Sequence, residues 1–195
     1  MDLVVHSIRL RRHPRVWKVA RGVPIPKPNR PSYALAKSSS LLNCLGKVVE
    51  RVVTELLCRH CEGNGTLHDR QFGARRERSA MEAVGTLVGW VEGSWKRKEI
   101  TGAVCMDVAA AFPSVSRGCL LRRLTEMKVD EDIVGWAGSF MQDRRVRMVI
   151  DGAEEEIGVT TGLPQGSSVS PIIFIIYVSG VHQAGEGGGV VLFRR

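Results

Sequence analysis

The sequence predicts an α+β fold. Three observations lead there: apolar residues recur at helical spacing in four stretches, another stretch alternates at period two up to a turn dipeptide, and a short apolar run ends on an acid. With 195 residues, 44% of them apolar, the chain is long enough to bury a core, so a folded protein rather than a disordered one is expected.

The first 37 residues carry the charge. They hold nine Lys or Arg (Arg9, Arg11, Arg12, Arg15, Lys18, Arg21, Lys27, Arg30 and Lys37) against one acid, Asp2, whereas the rest of the chain holds nineteen of each sign. The net charge of +8 therefore belongs to this stretch. Pro24, Pro26, Pro28 and Pro31 lack the amide donors that a helix needs and favour extended backbone, so residues 1–37 read as a basic arm and extended linker. Clustered cations suit a polyanion, since they displace the counterions condensed on a nucleic-acid backbone; the same charge is compatible with a solvated tail.

Residues 38–100 read as helical. Leu45, Val48, Val49, Val52, Val53, Leu56 and Leu57 give an amphipathic helix, broken by Gly63 and Gly65. A second helix starts at Ser79, where Glu82 completes a capping box, and Ala83, Val84, Leu87, Val88 and Val91 form its expected buried stripe. In residues 101–195, Ala103 to Met106 read as a buried strand delivering Asp107 at its end, and Pro113 closes the next turn. Two helices follow, carrying Leu120, Leu121, Leu124 and Met127, then Ile133, Val134, Trp136, Ala137, Phe140 and Met141. Val146, Met148 and Ile150 alternate up to Asp151-Gly152, a hairpin whose return arm is expected near Ile157 to Thr161. Pro171 opens a buried helix, and Val190 to Phe193 look like a further strand.

Several classes are disfavoured. The longest apolar run, Ile172 to Val178, is far below the roughly 20 residues that span a bilayer, and no signal-peptide pattern opens the chain, so a soluble, intracellular protein without a membrane partner is expected. Five cysteines at irregular spacing argue against a disulfide framework. Cys58 and Cys61, near His60 and His68, suggest zinc at first sight, but no second pair completes four ligands, and packing at a helix end is the expected role.

By itself a strand-end acid such as Asp107 is compatible with a structural role. Its surroundings change that: AVCMDVAAAFPSV, with Phe112 five residues after Asp107, resembles the first palm motif of reverse transcriptases, and TTGLPQGSSVSP, residues 160–171, resembles the second. LLNCLGKVVERVV (41–53) and QFGARRERSAMEAV (71–84) resemble two fingers segments of that family in the same order, and PRVWKVARGVPIPKP (14–28) is similar to the approach to the fingers in non-LTR (LINE-type) retrotransposon polymerases, particularly the fungal type. The resemblance implies a right-hand polymerase fold, with fingers over 38–100, an incomplete palm over 101–195 and no thumb. It further implies an RNA template, a DNA primer and dNTP as partners, Mg²⁺ as cofactor, and a nuclear location, with the mitochondrion as the alternative.

Carried onto this chain, the family's site assigns Asp107 as the first ligand of two Mg²⁺ ions roughly 3.5 to 4 Å apart, which activate the primer 3′-hydroxyl and stabilise the leaving pyrophosphate. The Val108 carbonyl offers a second hard oxygen donor. Phe112 would lie under the sugar and reject a 2′-hydroxyl. Gln165 and Gly166 would meet the incoming nucleotide, Gly162, Leu163 and Pro164 the template and primer, and Lys47, Arg75 and Arg78 the phosphates.

The chain departs from the family at three places. The third palm motif, an aromatic residue, any residue and then Asp-Asp, is absent: Arg194 and Arg195 stand after Phe193, and neither Asp151 nor Asp130, Glu131 and Asp132 is placed to substitute. Ser38, Ser39 and Ser40 replace the usual R-P-I before Leu41, and Ala109 and Pro113 vary in the first motif. The expectation is a truncated polymerase fragment, inactive alone; the rival is a non-catalytic nucleic-acid-binding remnant. Oligomeric state is left open.

Overall fold

Val49, Val53, Leu57 and Cys61 follow one another at four-residue intervals and are all buried, which is why α2 (Cys44–Gly63) forms the spine of the molecule. Asn43 caps it, its side-chain oxygen accepting from the backbone N–H of Leu45 and Gly46. The computed structural model describes residues 2–25, 37–103, 105, 107–150 and 153–180. It contains α1 (Asp2–Arg9), a 3₁₀ turn at Arg15–Trp17, β1 (Val19–Ile25), β2 (Lys37–Leu41), α2, α3 (Ala80–Lys96), α4 (Arg117–Glu126), α5 (Glu131–Met141), β3 (Arg144–Ile150), β4 (Ala153–Val159) and α6 (Ser170–Val178).

The strands make one mixed sheet of order β2-β1-β3-β4. β1 pairs antiparallel with β2 and parallel with β3 over Val19–Gly22 only, so Pro24, which has no N–H to give, lies beyond the stretch flanked on both sides. β3 and β4 pair from Arg144↔Val159 to Ile150↔Ala153. On their outer face Arg145 and Arg147 bridge Glu156, and Arg147 also reaches Glu154. The core lies where α2, α4, α5 and α6 meet: Leu120, Leu124, Trp136, Phe140, Ile172, Ile173 and Ile176 are at most 2% exposed. Burying side chains of that size contributes about 1.5–3 kcal/mol each.

Four expectations need correction. Residues 2–25 are not a free arm: α1 packs on α5, the Trp136 indole donates to Ser7 Oγ (3.2 Å), Arg11 pairs with Asp132 (2.9 Å), and β1 is an interior strand. Aromatic and small residues hidden among the arginines (Trp17, Ala20, Gly22) explain this, because each fits a packed or paired position. α3 keeps its capping box, with Glu82 N–H donating to Ser79 Oγ and Ser79 N–H to the Glu82 carboxylate, but of its expected stripe only Ala83 is buried, while Val84 and Val88 are each 48% exposed. No described element crosses that face. The strand expected before Asp107 is not formed at Ala103, Cys105 or Asp107, which are exposed and without regular structure, since no described strand supplies a hydrogen-bonding neighbour; Val104 and Met106 lie outside the described residues. The return arm of the hairpin is Ala153–Val159 rather than 157–161, because the Ile150↔Ala153 pairing leaves only two residues for the turn.

Cys61 is 1% exposed in the core and burial pushes its thiol up to about 11; Cys58, half-buried, is raised for the same reason. Val190–Phe193 and most of the Pro-rich stretch lie outside the described residues. No described helix is long and apolar enough to cross a membrane.

Candidate functional site

The two segments singled out around Asp107 and over 160–171 meet. Residues 109–114 form a tight turn in which Ser114 N–H donates to Ala110 O (3.0 Å). The loop that follows β4 docks on it: Leu163 N–H donates to Phe112 O (2.8 Å) and Gly162 N–H to Val115 O (3.1 Å). Gly162 has φ +86°, and a Cβ there would lie 2.6 Å from Pro113 Cα, so glycine is required by backbone-to-backbone approach within the protein. Gly166 has φ +87°, and its Cβ would lie 2.9 Å from Ser40 O on β2. Both glycines therefore fit the loop to its neighbours.

Phe112 is half-buried, its ring edge-on to Phe174 of α6 with centroids 5.5 Å apart. Asp107 and Val108 precede the turn, both exposed, Val108 at 44%. Gln165 is half-buried at the crest of the loop, and its amide has no hydrogen-bond partner among the described residues. Leu163 is buried, and the Pro164 carbonyl accepts from Ser170 Oγ (3.0 Å), which ties the loop to the start of α6.

Lys47 sits half-buried in the first turn of α2. Arg75 and Arg78 lie apart from this junction, by the other end of α2. The Arg75 side chain is only 7% exposed and grips Glu62, Nε to Oε1 at 2.9 Å and Nη2 to Oε2, while Nη1 donates to the carbonyls of His68 and Gln71. The guanidinium holds the Glu62 carboxyl below the usual carboxylate range, and the carboxylate raises Arg75 in turn. Its donors are thus committed to bracing the loop that precedes α3. Arg78 is exposed and stands over the Phe72 ring at 5.6 Å.

Sequence reasoning missed Glu50. It is 1% exposed on α2 and accepts from Ser167 Oγ (2.7 Å) and Ser168 N–H (3.0 Å). One turn later Thr54 Oγ1 donates to Ser168 O (3.2 Å). The signal was present: a carboxylate between Val49 and Val53 falls in the buried stripe, where an acid persists only with partners.

As a cation site the arrangement offers the Asp107 carboxylate and nearby carbonyls. Among the described residues no three His, Cys, Asp or Glu side chains converge. One carboxylate does not build a site for two divalent ions, whose charge needs several anionic oxygens.

Comparison with known proteins follows the same residues. Residues 25–187 match the family model described as reverse transcriptase (RNA-dependent DNA polymerase). The chain is similar to the probable RNA-directed DNA polymerase from transposon BS of Drosophila melanogaster, 28% identical with 92% of this chain and 20% of the relative covered. It is similar also to that from transposon X-element of the same fly (27%; 91% and 20%) and to the RNA-directed DNA polymerase from mobile element jockey, again of Drosophila melanogaster (26%; 85% and 18%). The chain thus spans about a fifth of the length of these curated relatives. All three are insect elements, and none of them bears out the fungal affinity expected from residues 14–28.

Proposed function

The chain belongs to the reverse transcriptase (RNA-dependent DNA polymerase) family, and from that premise we propose that it supplies the fingers and part of the palm of a right-hand polymerase that copies an RNA template by extending a DNA primer with dNTP. The observation that carries this is the hydrogen-bonded junction of the Phe112 turn with the Gly162–Leu163 backbone, which joins the two most specific family motifs into one surface.

On this reading Asp107, with the Val108 carbonyl, holds Mg²⁺, the ion that supplies charge neutralisation at the transferred phosphate. Phe112, steadied edge-on by Phe174, presents its ring to the sugar. Gln165, with its amide free of intramolecular bonds among the described residues, and Gly166 receive the nucleotide, and Leu163 and Pro164 border the template and primer. Lys47 and Arg78 attract phosphates. Arg75 braces the loop that carries Arg78, since Glu62 already engages its guanidinium. The nucleus is the proposed compartment, with the mitochondrion as alternative.

Primer extension on an RNA template with Mg²⁺ tests the reading. With a single carboxylate in the described site, this chain is expected to bind template–primer without incorporating dNTP. Incorporation that disappears in Asp107→Ala would overturn the expected inactivity, and failure to bind template–primer at all would overturn the polymerase reading. The same single-carboxylate site favours a second function, non-catalytic binding of nucleic acid, which predicts salt-dependent affinity but no incorporation on any template.

A further inference from the structure

We propose that Glu50 is a positioning residue that sets the conformation of the loop 162–168, and through it the placement of Gln165 and Gly166; the nucleotide-facing part of this assignment rests on the function proposed above. Glu50 is not among the residues that face a substrate on that reading. It lies on the inner side of α2 and is 1% exposed, so it meets the loop from beneath.

Besides the Ser170 Oγ bond to the Pro164 carbonyl, the loop has three supports. Its first residues hang on the Phe112 turn through Gly162 and Leu163. At its crest Gly166 lies against Ser40 of β2 so closely that a Cβ would be 2.9 Å from the carbonyl. Its last residues are held by α2: the Glu50 carboxylate takes Ser167 Oγ and Ser168 N–H, and Thr54 Oγ1 gives to Ser168 O. Ser167 Oγ in turn accepts from the N–H of Val169 and Ser170, the open start of α6. One buried carboxylate therefore orders the loop and the helix entry together. Charge-assisted bonds to a buried carboxylate are stronger than neutral ones, and a backbone N–H left without its acceptor there costs free energy.

A rival role is charge balance, since the negative charge of Glu50 favours the ionised form of the buried Arg144. Substitution separates the two. Glu50→Gln keeps an oxygen to accept from Ser168 N–H but has no charge for Arg144; Glu50→Ala has neither.

Amide hydrogen exchange of the 195-residue chain reads the result residue by residue. In Glu50→Ala the amides of residues 165–168 are expected to exchange at least about tenfold faster than in the parent, as loss of the two charge-assisted bonds to Ser167 and Ser168 implies, while Val49, Val53 and Leu57 change by less than about twofold. Glu50→Gln is expected to restore most of that protection. Unchanged exchange in Glu50→Ala, equal loss along α2 and the loop, or Glu50→Gln behaving as Glu50→Ala would each overturn the assignment. If Glu50→Ala does not fold, Ser167→Ala leaves the carboxylate in place and removes its hydroxyl donor, together with the oxygen that accepts from Val169 and Ser170; the amides of residues 165–168, read apart from those two, should exchange about threefold faster, and no change there would overturn the assignment equally. A parallel run of the parent with template–primer, dNTP and Mg²⁺ isolates the functional reading beneath it. Added protection at Gln165 and Gly166 supports nucleotide contact there, and its absence overturns that contact without touching the anchor measured in the free chain.

Discussion

His13 shows how a single residue couples pH to the fold. It is 2% exposed, lies edge-on to Trp17, Trp136 and Phe140 with ring centroids 5.3 to 5.6 Å away, and neither ring nitrogen has a partner among the described residues. Burial, then the charges of Arg144 and Lys18, push it down to about 3. The unfolded chain takes up a proton near the ordinary imidazole value of about 6.5 and the folded chain does not, so stability is full above that pH and falls as pH drops from there toward 3. The slope is at most about 1.4 kcal/mol per pH unit. Urea unfolding at three pH values from neutral down into the acid range should show the loss, and His13→Phe should remove its part; parallel curves for parent and variant would rule it out. Gly162 is confined by the backbone of a neighbouring turn. Gly162→Ala brings a Cβ against the Pro113 backbone at φ +86° and should cost about 1–3 kcal/mol in the same assay.

At the scale of elements, α3 differs from the other helices. Its termini are well specified by Ser79 and Glu82, yet Met81, Val84, Val88 and Trp95 are exposed by 78%, 48%, 48% and 67%. Its stability should therefore follow helix propensity rather than core packing. Gly85 and Gly89 face open space, so Gly85→Ala and Gly89→Ala should each stabilise by up to about 1 kcal/mol, whereas Ser79→Ala should cost about 1 kcal/mol. Val84→Lys should leave the unfolding midpoint within experimental scatter; a large loss would mean that this face is covered. On α5 the opposite holds: Trp136 and Phe140 are fully buried and stacked, and Phe140→Ala should cost about 3–5 kcal/mol by chemical denaturation.

For the whole molecule, the described part of the basic stretch, residues 2–25, is built into the body instead of trailing from it. Deleting residues 1–37 removes β1 from the middle of the sheet along with His13 and Trp17, so the shortened chain should lose cooperative unfolding by circular dichroism. Exposed arginines are the better probe of nucleic-acid affinity. Replacing Arg9, Arg12, Arg15 and Arg21 with Gln should flatten the dependence of log affinity on log salt by about 0.7–0.9 for each phosphate no longer neutralised; an unchanged slope would place the binding surface elsewhere. Much of this molecule was legible in one dimension. Local signals (a helical repeat, a capping box, a hairpin dipeptide, the G-L-P-Q-G run) decide which segments are helix or turn and identify the family, because each depends on neighbours a few residues away. Burial and pairing depend on what comes from far along the chain. Hence only the tertiary structure decided that Val19–Ile25 of the basic N-terminus is an interior strand, that the apolar face of α3 is bare of described elements, that Arg75 is spent on Glu62, and that Glu50, 117 residues before Ser167, holds the loop on which the proposed nucleotide site rests.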